Sequence, residues 1–259
     1  MLPEKPIIAA FADGDLLAEI SARLEERYQL QPYNHTLQGD RLIARLADDQ
    51  AALLLIQAGD HDWTAAISTA KTSPATRRIP VIAVTANDQE ANDALIAGAN
   101  QAVTREQLLT ELETLIAEQA RVLSAEHRQK IESACADELP ETARRAIELF
   151  NAGEYYQQHD LLEALWMETE GPIRDLYRAI LQVGIAYYQI TRGNERGALK
   201  MVLRSLQWLA VLPNECQGVD IGQLREDVAE VRRRLEFGLY QNQIPPDEGM
   251  LKPVKLYPR

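Results

Sequence analysis

The sequence predicts two unlike halves, a doubly wound α/β domain followed by an all-α helical bundle. Two observations carry the prediction. Up to about residue 119, short continuous apolar runs alternate with amphipathic segments. From Pro140 onward, segments of helical spacing follow one another, broken by Gly- and Pro-containing turns. Buried parallel strands read as unbroken apolar runs because helices cover both sheet faces. Alternation of strand and helix in turn implies a parallel sheet. A length of 259 residues suits two such domains.

The first strand is Ile7–Phe11. Leu16-Leu17-x-x-Ile20-x-x-x-Leu24 has the spacing of a helix with one apolar face. Ala52–Ile56 and Val81–Val84 are the next clear strands. In parallel sheets of this kind ligands sit beyond the carboxyl ends of the strands. Phe11, Gln57, Thr85 and Arg105 are expected to meet there. That pocket is polar, yet its residue types supply neither a general base nor a metal cage.

The segment 106–134 reads as one extended linking helix that overlaps the end of the first domain (1–119). Leu108, Leu112, Leu115, Gln119 and Val122 step by four and three, a partial heptad stripe. Two expectations compete. Either the leucines pack on the sheet and the remainder is a solvated linker, or the helix couples domains or pairs two copies into a homodimer.

The helical half is expected to span 135–240. Pro140 suits a helix start, and Gly153 suits the end of that helix. Further helices are expected at about 154–168, 172–190, 195–211 and 221–240, the last with Asp220 as N-cap. Short connections imply antiparallel neighbours. The tail 241–259 is rich in Pro and is expected to be extended.

Composition narrows the functional classes. Lys and Arg number 27 against 39 Asp and Glu, a net charge of −12 that argues against nucleic acid. Cys135 and Cys216 lie far apart without metal-ligand spacing. They suggest no disulfide framework, so a reducing cytoplasm is the expected setting. Met1-Leu2-Pro3-Glu4-Lys5 has no signal-peptide character. Ala179–Tyr188 is too short and too polar for a membrane span.

Residues from Pro6 to about Gln119 resemble the CheY-like receiver domain of bacterial response regulators, a flavodoxin-like fold. Ile79-Pro80-Val81-Ile82-Ala83-Val84-Thr85-Ala86 is the closest match, and Thr85 stands where that family keeps a phosphoryl-contacting hydroxyl. The family also needs a phosphoacceptor aspartate at the end of its third strand, and this chain has Gln57 there. An amide cannot form the acyl phosphate. Counting back from Asp15-Leu16-Leu17, the two metal-binding acids are replaced by Phe11 and Ala12, which offer Mg2+ no oxygen. Asp13 is the surviving acid if the register slips by one. Arg105-Glu106 stands where the family has Lys-Pro. The resemblance implies a pseudo-receiver that keeps the shape of a phosphorelay component without its chemistry.

The helical half resembles the small bacterial family called domain of unknown function 309. Phe150-x-x-Gly153-x-Tyr155, His159-x-x-Leu162-Glu163-x-x-Trp166, Arg174, Ile180-x-Gln182 and Gly193-Asn194-x-x-Gly197-Ala198 carry the match. Asp160 stands where that family has Glu. The pairing of the two halves points to a cyanobacterial source.

His159 and Glu163, four apart, share one helix face, with Trp166 one turn on. Three uses compete: a structural hydrogen bond between Glu163 and His159 or Arg174, a recognition pocket with Gln182, and a hydrolase or metal site lacking a third ligand. Arg196, Lys200 and Arg204 form a basic ridge, either a solvated face or a docking stripe for an acidic protein or phosphates. The helix pair around Phe150 also resembles a tetratricopeptide repeat, but Gln158 is too large for that repeat and no second copy follows. The overall expectation is a non-enzymatic signalling or adaptor protein that binds another protein, without cofactor or metal. The alternative is an enzyme centred on His159 and Glu163.

Overall fold

A computed structural model describes residues 5–59, 61–241 and 248–257. Its contacts divide the chain into two compact units, which part near residue 122.

The first unit alternates strand and helix: β1 (Ile7–Phe11), α1 (Gly14–Leu24), β2 (Gln29–Pro32), α2 (Gly39–Asp48), β3 (Leu53–Gln57), α3 (Trp63–Thr72), β4 (Val81–Val84), α4 (Asp88–Ala97), β5 (Gln101–Val103) and α5 (Arg105–Gln119). The five strands are ordered β2-β1-β3-β4-β5 and every pairing is parallel. This is a doubly wound sheet with its switch point between β1 and β3. Successive side chains leave a strand on opposite faces. Phe11, Leu54, Ile56, Val81 and Ala83 therefore pack with Leu42 and Leu46 of α2 and Ile67 of α3. Ile8, Ala10, Leu53, Leu55, Ile82 and Val84 pack on the other face with Leu16 and Ile20 of α1 and Leu108 and Leu112 of α5.

The linking segment is not one helix. α5 stops at Gln119, Ala120 turns extended, and the Arg121 N–H donates to the Ala52 carbonyl at 2.8 Å. A new helix, α6 (Ala125–Cys135), starts where the Ser124 hydroxyl accepts from the His127 N–H. Ser is a strong N-cap, and the Arg121 bond commits the chain to an extended path. The 106–134 helix is thus corrected to two helices with an extended break.

The second unit continues with α7 (Glu141–Asn151), α8 (Tyr155–Glu168), α9 (Arg174–Thr191), α10 (Glu195–Leu209) and α11 (Ile221–Gln241). α9 is the central helix, packed between α8 and α10 and buried along most of its length. Gly184 lets α8 approach it closely: a Cβ there would meet Gln158 Oε1 at 2.0 Å and Phe150 Cδ2 at 3.3 Å. Asp220 accepts from the Gln223 N–H at 2.9 Å, the expected cap at the start of α11.

The helical half also holds a small hairpin, β6 (Glu215–Cys216) and β7 (Val219–Asp220), joined by Gln217 and Gly218. Both joining residues have positive φ, 52° and 76°, as a tight two-residue turn requires. Cys216 on this hairpin forms a disulfide with Cys135 at the end of α6. That corrects the reading of the two cysteines, because distance along the chain does not set distance in the fold. It also removes the cysteine argument for a reducing compartment. Of the tail 241–259, residues 242–247 and 258–259 lie outside the described residues. Beyond a short 3₁₀ turn at Glu248–Met250, the chain returns to the hairpin through Asp220 N–H to Lys255 O and Tyr257 N–H to Gly218 O. Among the described residues no helix is long and apolar enough to cross a membrane.

Candidate functional site

Each unit brings sequence-predicted residues together. In the first, the place is the carboxyl ends of β1 and β3. Gln57 is the last residue of β3, and its amide nitrogen donates to Asp13 Oδ2 at 2.7 Å. The Asp13 backbone N–H donates back to Gln57 Oε1 at 2.9 Å. Asp13 also caps α1, its other oxygen accepting from the Leu16 N–H at 2.7 Å. Arg105, the first residue of α5, bonds Glu19 at 2.8 Å and lies 3.7 Å from Asp13. The Leu16 amide, then the Gln57 amide, hold the Asp13 carboxyl below its usual range, with Arg105 adding a smaller pull.

This geometry selects the register. Asp13, not Phe11 or Ala12, faces Gln57. Phe11 pairs with Ile56 in the sheet, so its ring is buried against Tyr33 with centroids 5.4 Å apart. Ala12 packs in the opposite core. Thr85 is buried at the end of β4 and turns its hydroxyl toward the Val103 carbonyl at 3.5 Å, a weak contact. Asp13, Gln57 and Arg105 therefore converge, while Phe11, Ala12 and Thr85 belong to the packing behind them.

The second place lies on the layer formed by α8, α9 and α10. The expected hydrogen bond between His159 and Glu163 is not formed. His159 Nδ1 lies 3.2 Å from Asp160 Oδ1, and its ring stacks beside Tyr156. Glu163 is exposed. One turn further along α8, Trp166 is met from α9 by Arg174, 5.1 Å from the ring centroid, and by Arg178 at 4.7 Å. Arg178 also lies 4.1 Å from the ring of Trp208 on α10. Trp208 donates its indole N–H to Gln182 Oε1 at 3.1 Å, which fixes both buried groups. Such stacking holds a guanidinium in place through the ring quadrupoles.

Trp166 and Arg174 meet directly, and Gln182 is linked to them through Trp208 and Arg178, two residues the sequence did not single out; His159 and Glu163, expected in the same pocket, make no hydrogen bond to any of these among the described residues. Arg178 follows Arg174 by one helical turn, and Trp208 continues the series Arg196, Lys200, Arg204 by another four. Those spacings were the available signals. α10 thus carries both the basic series and, at Trp208, one side of the aromatic cluster. Among the described residues no three or more His, Cys, Asp or Glu gather as a metal site would require.

The sheet order and the helical layer define the class: a doubly wound α/β domain joined to a helical domain. Residues 143–201 match the family described as Domain of unknown function (DUF309), a span that contains α8, α9 and the first half of α10. A protein of Aquifex aeolicus (strain VF5) described as uncharacterized is 27% identical over 99 residues, covering 38% of this chain and 30% of that protein. The match thus covers less than a third of that relative's own length.

Proposed function

We propose that this chain is a phosphorylation-incompetent, receiver-like signalling or adaptor protein that acts by protein–protein contact, with the helical half as its output or partner-binding part. The observation that carries the reading is the reciprocal pair between Gln57 and Asp13. It stands at the carboxyl end of the third strand, where a receiver of this strand order would place its phosphoacceptor. An amide there is no nucleophile for phosphoryl transfer. Asp13, the acid that bonds Gln57 among the described residues, is engaged by that amide and by the α1 cap. Transfer would also need a bound metal to spread the charge of the moving phosphoryl group.

The same pair has a structural consequence that suits an adaptor. It ties the β1–α1 turn to the end of β3, and Arg105 extends the tie to α5. A surface held in one arrangement can be recognised without a phosphorylation event. The hydrolase or metal-dependent alternative draws less support, because His159 leans on Asp160 and Glu163 stands apart in solvent.

The test is capture of partners from a lysate of the cells that make the protein, with the full chain immobilised. The reading expects the same partner with or without pretreatment by acetyl phosphate and Mg2+. A partner retained only after that treatment would contradict it.

A further inference from the structure

We propose that Asn151 and the β6–β7 hairpin form a groove for an extended peptide segment of a partner protein. The chain's own residues 250–257 fill it in this structure as an autoinhibitory occupant. The partner segment has the chemistry of that occupant, an extended backbone with an aliphatic side chain directly after a proline. The proposal rests on the adaptor reading and gives it a site and a partner chemistry.

The seated segment shows what the groove recognises. Asn151, the last residue of α7, holds both main-chain groups of one residue. Its amide nitrogen donates to the Val254 carbonyl at 2.9 Å, and its Oδ1 accepts from the Val254 N–H at 2.8 Å. Two residues on, Leu256 pairs antiparallel with Val219 of β7. That pair is flanked by Asp220 N–H to the Lys255 carbonyl at 3.0 Å and Tyr257 N–H to the Gly218 carbonyl at 2.8 Å. The segment thus lies on the hairpin as an added strand, the mode by which sheet edges take up peptides. All of these bonds end on its main chain, so none requires a particular side chain. Selectivity falls to Val254, which is only 2% exposed, while Lys252, Pro253, Lys255 and Tyr257 around it are exposed. Pro253 fixes its own φ and keeps Lys252 out of the helical region, so the segment is extended before it docks.

The receiving edge is fixed independently of the segment. Cys216 of the hairpin is joined to Cys135 of α6, and the Gln217 N–H donates to the Cys135 carbonyl at 2.7 Å. An edge already held in place loses little freedom when a strand is added, which favours binding. A contact made of main-chain bonds and a valine anchor does not depend on which chain supplies the segment. A partner segment with a Pro-aliphatic pair makes the same bonds. The chain's own segment is tethered, so it competes at a high effective concentration and a partner must displace it.

The test uses the full chain and a fluorescein-labelled peptide of residues 249–257, read by anisotropy. Val254→Asp in the full chain removes the anchor of the tethered segment and leaves the groove intact. This variant is expected to bind the peptide about tenfold or more tighter than the wild type, where the tethered segment competes. Asp in place of valine in the peptide, or Asn151→Ala added to Val254→Asp, is expected to reverse that gain. Equal binding by the wild type and Val254→Asp, no binding by either, or undiminished binding of the Asp peptide would overturn the proposal. Loss of the thermal transition of the helical half in Val254→Asp would also overturn it, because the segment would then be an indispensable part of the fold. Light scattering that shows a wild-type dimer and a Val254→Asp monomer would assign the segment to a second copy and overturn it too. Lysate capture separates the two levels. Val254→Asp is expected to retain more partner than the wild type, and free peptide to compete with that partner. If both chains retain the same partner equally and the peptide does not compete, the groove is wrong and the adaptor reading stands. If neither chain retains a partner, the adaptor reading fails, and the proposal with it.

Discussion

At the scale of single residues, position 57 dominates. The sequence shows an amide at the end of a buried strand, and that much of the site was legible. Its partner was not, because Phe11, Ala12 and Asp13 differ by one step of register and only the sheet pairing distinguishes them. Asp13 makes the site pH-dependent. Its carboxyl is held below the usual range, so the cap and the Gln57 bond contribute above about pH 4 and fade as the pH falls through the lowered value. The group is about half exposed, so the contribution is less than about 1 kcal/mol. Gln57→Asp inverts this behaviour by placing two carboxylates together. The variant is expected to lose roughly 1 kcal/mol at pH 7 and to recover it as one acid is protonated at lower pH, followed by chemical denaturation at pH 7 and pH 5. It is not expected to gain phosphorylation with acetyl phosphate and Mg2+, since β1 supplies no pair of acids. Glu163 poses a simpler question. A structural role in the fold would cost about 1–3 kcal/mol on removal. Its exposure predicts instead that Glu163→Ala stays within about 0.5 kcal/mol of the wild type in a denaturant titration.

At the scale of elements, helices and strands were legible wherever apolar spacing was strong, and breaks were legible where Gly or Pro marked them. The break between α5 and α6 carried no such mark. It depends on Ser124 as a cap and on a backbone bond from Arg121 to Ala52, and neither shows in a heptad count. The hairpin at Glu215–Asp220 was hidden for a similar reason, since two-residue strands have no periodicity to read. Its turn at Gln217-Gly218 and its disulfide come from tertiary contact. Gln217 anchors that corner by donating to the Cys135 carbonyl at 2.7 Å and accepting from the Tyr177 hydroxyl at 2.9 Å. The packing of α8 on α9 gives an element-level prediction. Alanine in place of an exposed helical glycine adds about 1 kcal/mol of stability. At Gly184 the new Cβ would fall 2.0 Å from Gln158 Oε1, so Gly184→Ala is expected to destabilise by about 1–3 kcal/mol. Thermal denaturation of Gly184→Ala beside Gln158→Ala/Gly184→Ala checks the cause. Recovery in the double variant is the expected result.

At the scale of the whole molecule, two halves were legible because their patterns differ in period, and the structure divides near residue 122. The disulfide lies wholly within the second unit and closes a span of 81 residues. Its reduction is expected to lower the stability of the helical half by about 2–4 kcal/mol in the chain-entropy picture. Calorimetry with and without a dithiol should show two transitions, of which only that of the helical unit moves. The net charge of −12 disfavours general polyanion binding. On the proposed reading the first half is receiver-like, and the Gln57–Asp13 pair occupies the place of a phosphoacceptor site. Intact mass spectrometry of the full chain after incubation with acetyl phosphate and Mg2+ tests this most directly. The mass is expected to remain that of the unmodified protein. A stable gain of one phosphoryl group, mapped beside Gln57, would contradict it.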